Sequence, residues 1–249
     1  MPYRLKFVVA YDGAGFGGWQ SQPGGNTIQD YVEAAFARVV GELVHIHGAG
    51  RTDAGVHALA QTAHVELPKP ILASEKWPGA LNASLPPAIR VLRCHPAPQS
   101  FHARFSAKGK VYRYRIWNDR ILPPLEVDRA WHISAPLDFQ AMCAAAEQFL
   151  GRHDFASFAA NRGKPQENTV RTIEAVRTRK KGKLVTIEFS GDGFLYKMVR
   201  LMAGAVVRCG LGRSAPDEIR ERLRSKKEAS SADRFVAPAG GLFLVRVRY

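Results

Sequence analysis

Apolar positions near the amino terminus alternate: Leu5, Phe7 and Val9 interleave with Arg4, Lys6 and Val8, the period of a strand with one better-buried face. A glycine-rich stretch, Gly13 to Gly18, and then Pro23-Gly24-Gly25 follow. Thr27 then stands where a helix cap belongs, and Ile28, Tyr31, Val32, Ala35, Phe36, Val39 and Val40 recur at helical spacing up to Gly41. Val44 and Ile46 alternate with His45 and His47, which predicts a short strand. Gly48 to Gly55 is too rich in glycine for regular structure. Ala58 to Leu67 predicts a strand, Ser74 to Leu85 a helix, and Ile89 to His95 another strand.

The second half repeats the rhythm. Lys110 to Trp117 predicts a strand with Val111, Arg113 and Arg115 on one face and Tyr112, Tyr114 and Ile116 on the other. Asp138 caps a predicted helix carrying Phe139, Met142, Ala145, Ala146 and Phe149, with Gly151 as its terminator. Ile173 to Val176 and Leu184 to Phe189 are expected to pair across a turn at Lys180 to Lys183. A helix is expected over Leu195 to Cys209, stopped by Gly210, and a short one over Asp217 to Arg224. A final strand is expected over Leu242 to Tyr249. Short turns between adjacent strands favour an α+β fold over a doubly wound parallel sheet. The Pro- and Gly-containing segment Cys94 to Lys110 puts a boundary near residue 105, giving lobes 1–105 and 106–249.

Composition narrows the classes. The chain has 249 residues, of which 46% are hydrophobic, the balance of a globular protein able to bury a core. No apolar run approaches the roughly 18 residues needed to cross a bilayer, and the first ten residues read as a strand and not a signal peptide. Cys94, Cys143 and Cys209 are odd in number and widely spaced, so a reducing cytoplasm is the expected location. The 36 Lys and Arg against 22 Asp and Glu leave a net charge of +14, which favours a polyanionic partner, most often nucleic acid.

Candidate chemistry concentrates in Gly48-Ala49-Gly50-Arg51-Thr52-Asp53-Ala54-Gly55-Val56-His57-Ala58. A carboxylate at Asp53 can serve as nucleophile, base or metal ligand, or can cap backbone N–H groups in a tight turn; local chemistry leaves both readings open. The glycine spacing fits no phosphate-cradling or dinucleotide loop. His45, His47, His57 and His64 crowd around Asp53 in sequence, and a His-x-His pair can seed a metal site, yet no ligand set with characteristic spacing completes one. Arg200 follows Phe194-Leu195 on the predicted helix and reads either as a solvated cation or as a packed one seeking a carboxylate. Aromatic and basic residues interleave at Phe101-His102-Ala103-Arg104-Phe105 and at Lys110 to Arg115, a composition suited to stacking on unpaired bases and meeting phosphates. Arg220, Arg222, Arg224, Lys226 and Lys227 form a basic cluster that is equally a solvated helix end.

Several of these segments lie in the order of one family. Tyr11-Asp12-Gly13, Gly18-Trp19-Gln20, the string Gly50 to Ala58, Phe101 to Ala107, Tyr112-Arg113-Tyr114, Phe194-Leu195 with Met198-Val199-Arg200, and Gly241-Leu242-Phe243 together resemble the tRNA pseudouridine synthase A family over nearly the whole chain. Tyr196-Lys197 stands where that family commonly carries His, which leaves the role of Lys197 open. The resemblance implies a pseudouridine synthase fold of two ferredoxin-like-related α+β lobes, a central antiparallel sheet and a basic active-site cleft. It implies isomerisation of uridine to pseudouridine in the anticodon stem-loop of tRNA, at positions 38 to 40, by a cytoplasmic homodimer without cofactor or metal. It assigns Asp53 as the catalytic aspartate and Arg200 as its basic partner. Tyr112 becomes the ring that stacks on the target uracil, and Arg51 the side chain that helps displace the base and holds its place.

Overall fold

The computed structural model describes residues 3–160, 168–225 and 235–249. The chain divides into two compact units, Met1–Lys108 with Phe243–Tyr249, and Gly109–Leu242. The final strand, expected within a 106–249 lobe, therefore belongs to the first unit. Its Phe243 and Leu244 pair in parallel with His57 and Ala58, and the carbonyl of Arg248 accepts from the Lys108 N–H at 2.8 Å.

In the first unit β1 (Tyr3–Tyr11) lies between β3 (His57–Leu67) and β4 (Ile89–Pro96), antiparallel to both. The far edge of β3 pairs with β2 (Ile46–Gly48) and with β10 (Leu242–Arg248). One face of this sheet is apolar. Leu5, Phe7 and Val9 are fully buried there, and Phe7 meets Phe36 of α1 (Ile28–Val40) at 5.1 Å between ring centroids. Phe36 meets Trp77 of α2 (Trp77–Asn82) in turn. The ends of α1 are as the sequence predicts: Thr27 and Asp30 form a reciprocal capping box, and Gly41 closes the helix at φ 87°. The second helix is shorter than expected. Pro78 is tolerated only in a first turn, and Pro86 lies just beyond the segment.

In the second unit β5 (Gly109–Asn118) pairs with β9 (Leu184–Gly191), β9 with β8 (Val170–Lys181), and β8 with β7 (Gly151–Asp154), all antiparallel. A short β6 (Trp131–Ile133) runs parallel to β5. On β5 the predicted faces appear: Tyr114 and Ile116 are fully buried, while Arg113 and Arg115 pair with Glu188 and Glu126. The helices are α3 (Phe139–Glu147), α4 (Met198–Gly210) and α5 (Pro216–Ser225). Asp138 caps α3 through the N–H groups of Gln140 and Ala141, but the helix ends before Gly151, which opens β7 at φ 101°. Helix α4 ends at Gly210, as expected. A Cβ there would meet Met142 Cγ at 2.6 Å, so α3 and α4 approach closely at that point. The class is α+β, with mostly antiparallel strands.

Candidate active site

The loop between β2 and β3 is pinned at several of its peptides. The Ala49 N–H donates to the Thr62 carbonyl at 2.8 Å, and Gln61 Nε2 donates to the Gly50 carbonyl at 2.8 Å. The Thr52 carbonyl accepts from the Trp19 N–H at 3.1 Å, and the Asp53 carbonyl accepts from Val56 N–H at 3.1 Å, closing a turn around Ala54-Gly55. Tyr11 and Thr52 share a buried hydroxyl–hydroxyl hydrogen bond of 2.9 Å. These contacts leave Asp53 half-buried and Arg51 exposed at the loop's surface.

The glycine-rich stretch after β1 exists to let that loop approach. Gly18 has φ 94°, and a Cβ on it would lie 2.6 Å from the Thr52 carbonyl oxygen and 3.0 Å from the Asp53 carbonyl carbon. The N–H of Gly13 donates to His57 Nδ1 at 3.0 Å, and the same nitrogen lies 3.1 Å from Asp12 Oδ1. His57 is buried and stacks on Phe243 at 4.5 Å, so this histidine props the loop's exit and belongs to packing.

Arg51 is aimed by a relay. Its Nε donates to Gln20 Oε1 at 3.1 Å; Gln20 Nε2 donates to Gln29 Oε1 at 2.7 Å; Gln29 Nε2 donates to Glu33 Oε1 at 2.8 Å. Glu33 also accepts the Ile46 N–H at 2.9 Å, so the chain of amides runs from α1 and β2 to one guanidinium. Polar side chains at Gln20, Gln29 and Glu33 carry no motif beyond the family string at Gln20, and their shared role emerges only in three dimensions.

In the second unit Tyr112 is buried on β5 and its ring meets Phe194 edge-on at 5.0 Å. Arg200 lies in the first turn of α4, half-buried, with Nε donating to the Ala237 carbonyl at 2.7 Å while its own carbonyl accepts the Ala237 N–H. The Tyr114 hydroxyl donates to the neighbouring Pro238 carbonyl at 2.7 Å, and burial holds that phenol well above its usual range. The helix begins at Met198 and not Leu195, because Lys197 takes a left-handed φ of 57° and interrupts it.

Other candidates resolve differently. Among the described residues no three His, Cys, Asp or Glu side chains are arranged to hold a metal. His47 stacks on His64 at 5.0 Å, and His64 Nδ1 accepts the Ala103 N–H. Burial first, then the neighbouring His102 and His47, push His64 down to about 4. Arg222 is a packing residue: its guanidinium lies 4.2 Å over Phe158, and it exchanges hydrogen bonds with Ser157. Lys226 and Lys227 of the same cluster lie outside the described residues.

The sequence that folds this way matches a known family. The model described as tRNA pseudouridine synthase covers residues 7–106 and 145–249, and the chain belongs to that family. Among its relatives, the tRNA pseudouridine synthase A of Akkermansia muciniphila is 44% identical over 252 residues, covering 99% of this chain and 95% of the relative. That of Methylacidiphilum infernorum is 43% identical over 246 residues, covering 98% and 94%. A chain from the crystal structure of a Cbf5-Nop10-Gar1 complex superimposes with a TM-score of 0.39 at 12% identity, over 97% of this chain and 49% of the other. Among the described residues no helix is long and apolar enough to cross a membrane.

Proposed function

We propose that this chain isomerises uridine to pseudouridine in tRNA, in the anticodon stem-loop at positions 38 to 40, with Asp53 as its catalytic carboxylate. The observation that carries this reading is the Asp53 turn, held through Ala49, Gly50, Thr52 and Val56 inside the part of the chain that the family model matches. A rigid carriage suits a group that must meet one ring or sugar atom within a fraction of an ångström. The reaction breaks the N1–C1′ bond, turns the uracil and joins C5 to C1′, with the C5 proton released and N1 protonated. It is redox-neutral and adds no atoms, so side chains suffice for it.

The remaining roles follow the same reading. Tyr112, backed by Phe194, is the platform that keeps the detached uracil from escaping. Arg200 is the cation that balances the aspartate, its guanidinium oriented by the Ala237 carbonyl. Arg51, held by Gln20, enters the space vacated by the target base. The enzyme works as a cytoplasmic homodimer. The first unit carries the aspartate loop, and the second carries Tyr112 and Arg200.

The test uses tRNA labelled with tritium at uridine C5. Wild-type protein is expected to release the label and Asp53→Asn to release none while binding tRNA as before. Normal release by Asp53→Asn would remove the carboxylate from the mechanism.

A further inference from the structure

The face of the first unit's sheet turned away from α1 and α2 holds a cavity of about 330 Å³ lined by Lys6, Thr62, Arg93, His95, Phe101 and Tyr249 among others. Strand register builds it. Lys6 on β1 stands opposite His95 on β4, and Val8 opposite both Arg93 and Thr62, so these side chains share one face in two adjacent rows. Phe101 and Tyr249 form one wall, 5.0 Å apart. The Lys6 ammonium lies 4.0 Å from the Tyr249 ring centre and 4.8 Å from that of Phe101. Tyr249 is fixed by its hydroxyl, which donates to the Ala103 carbonyl at 2.8 Å.

No side chain that lines the cavity is acidic. Among the described residues neither Lys6 nor Arg93 has a carboxylate partner; the carboxylate that pairs on this face, Glu66, is bound to Arg4. Burial and the nearby Arg93 both pull the Lys6 ammonium below its ordinary range, which is the mark of cations gathered without compensation. A tetrahedral anion bearing two or three acceptor oxygens would satisfy Lys6 and Arg93 together.

We infer that this cavity is a phosphate subsite, which takes one phosphodiester of the bound tRNA away from the reacting uridine. The inference rests on the proposed tRNA substrate but not on the identity of the catalytic residues. Arg93 is exposed, so Arg93→Gln removes the charge without disturbing the core.

The test measures tRNA affinity against salt. Losing one phosphate contact lowers the slope of log K against log salt by about 0.7 to 0.9, so between about 50 and 200 mM salt the variant loses roughly threefold less affinity than wild type. In a second arm the wild-type protein is treated with an amine-acylating reagent and Lys6 is followed by mass spectrometry. tRNA should protect it at submicromolar concentration and inorganic phosphate only at millimolar. An unchanged slope together with unprotected Lys6 overturns the subsite. Protection by phosphate and none by tRNA overturns it as an RNA contact. Protection by tRNA in a protein that makes no pseudouridine upholds the subsite and overturns the activity instead.

Discussion

Gly18→Ala tests whether the aspartate loop owes its position to the backbone beneath it. Two costs arise. A side chain at φ 94° is strained by about 1–2 kcal/mol. The new Cβ would also stand 2.6 Å from the Thr52 carbonyl oxygen. An ordinary C···O contact is about 3.3 Å, so the Thr52-Asp53 peptide must retreat by roughly 0.7 Å. That retreat breaks or lengthens the bond from the Trp19 N–H to Thr52, and it moves the Asp53 backbone directly. A misplacement of about 1 Å can cost 10²-fold in rate, so a ten- to hundredfold fall in kcat is expected. The assay is single-turnover tritium release, run well below the variant's melting temperature, beside a circular dichroism spectrum and a tRNA binding curve. Gly24→Ala is the control, since a Cβ there meets nothing within 4 Å. If folded Gly18→Ala turned over within twofold of wild type, the loop would not be set by this contact.

Two further outcomes follow from the same geometry. Gln20→Ala frees Arg51 from its relay; the loss of a hydrogen bond of about 0.7 to 1.4 kcal/mol predicts a three- to tenfold fall in kcat/KM, and an unchanged value would make the relay incidental to Arg51. Because His64 is pushed from 6.5 to about 4 on folding, the unfolded chain binds its proton more readily; stability is complete above pH 6.5 and is lost as pH falls through the window to 4, by about 3 kcal/mol at its lower end. Urea melts across that window should show the decline, and His64→Gln should flatten it; an equal decline in the variant would assign the effect to other groups.

Periodicity read the fold well where burial is one-sided. The strand of Leu5, Phe7 and Val9 and the helix from Thr27 to Gly41 follow from local pattern because side-chain period and capping chemistry agree there. It failed where hydrogen bonding substitutes for burial. Lys180 and Lys181, expected in the turn, instead continue β8, held by the ladder to β9, and the reversal is left to Gly182 and Lys183. Trp131–Ile133 and Gly151–Asp154 are too short to show a period. At the site, the string from Gly50 to Ala58 was legible as a motif. The relay through Gln20, Gln29 and Glu33 was not, since it joins residues from a loop and a helix that share no spacing rule.

The net charge of +14 also changes meaning once its members are located. Arg4, Arg113 and Arg115 are matched to Glu66, Glu188 and Glu126, and Arg222 is spent on an aromatic face. These cations contribute to the count but their fields are locally cancelled or their donors committed, so the interleaved basic and aromatic run on β5 is mostly structural. The opposite holds at Lys6 and Arg93, which share a cavity with two rings and no acidic side chain. Gathering two like charges on one face opposes folding unless a ligand later relieves the repulsion. Such an arrangement therefore marks a binding site more sharply than the total does. Polyanion recognition is predicted to be weakened most by neutralising the uncompensated pair, and little by neutralising Arg113, whose partner Glu188 already screens it.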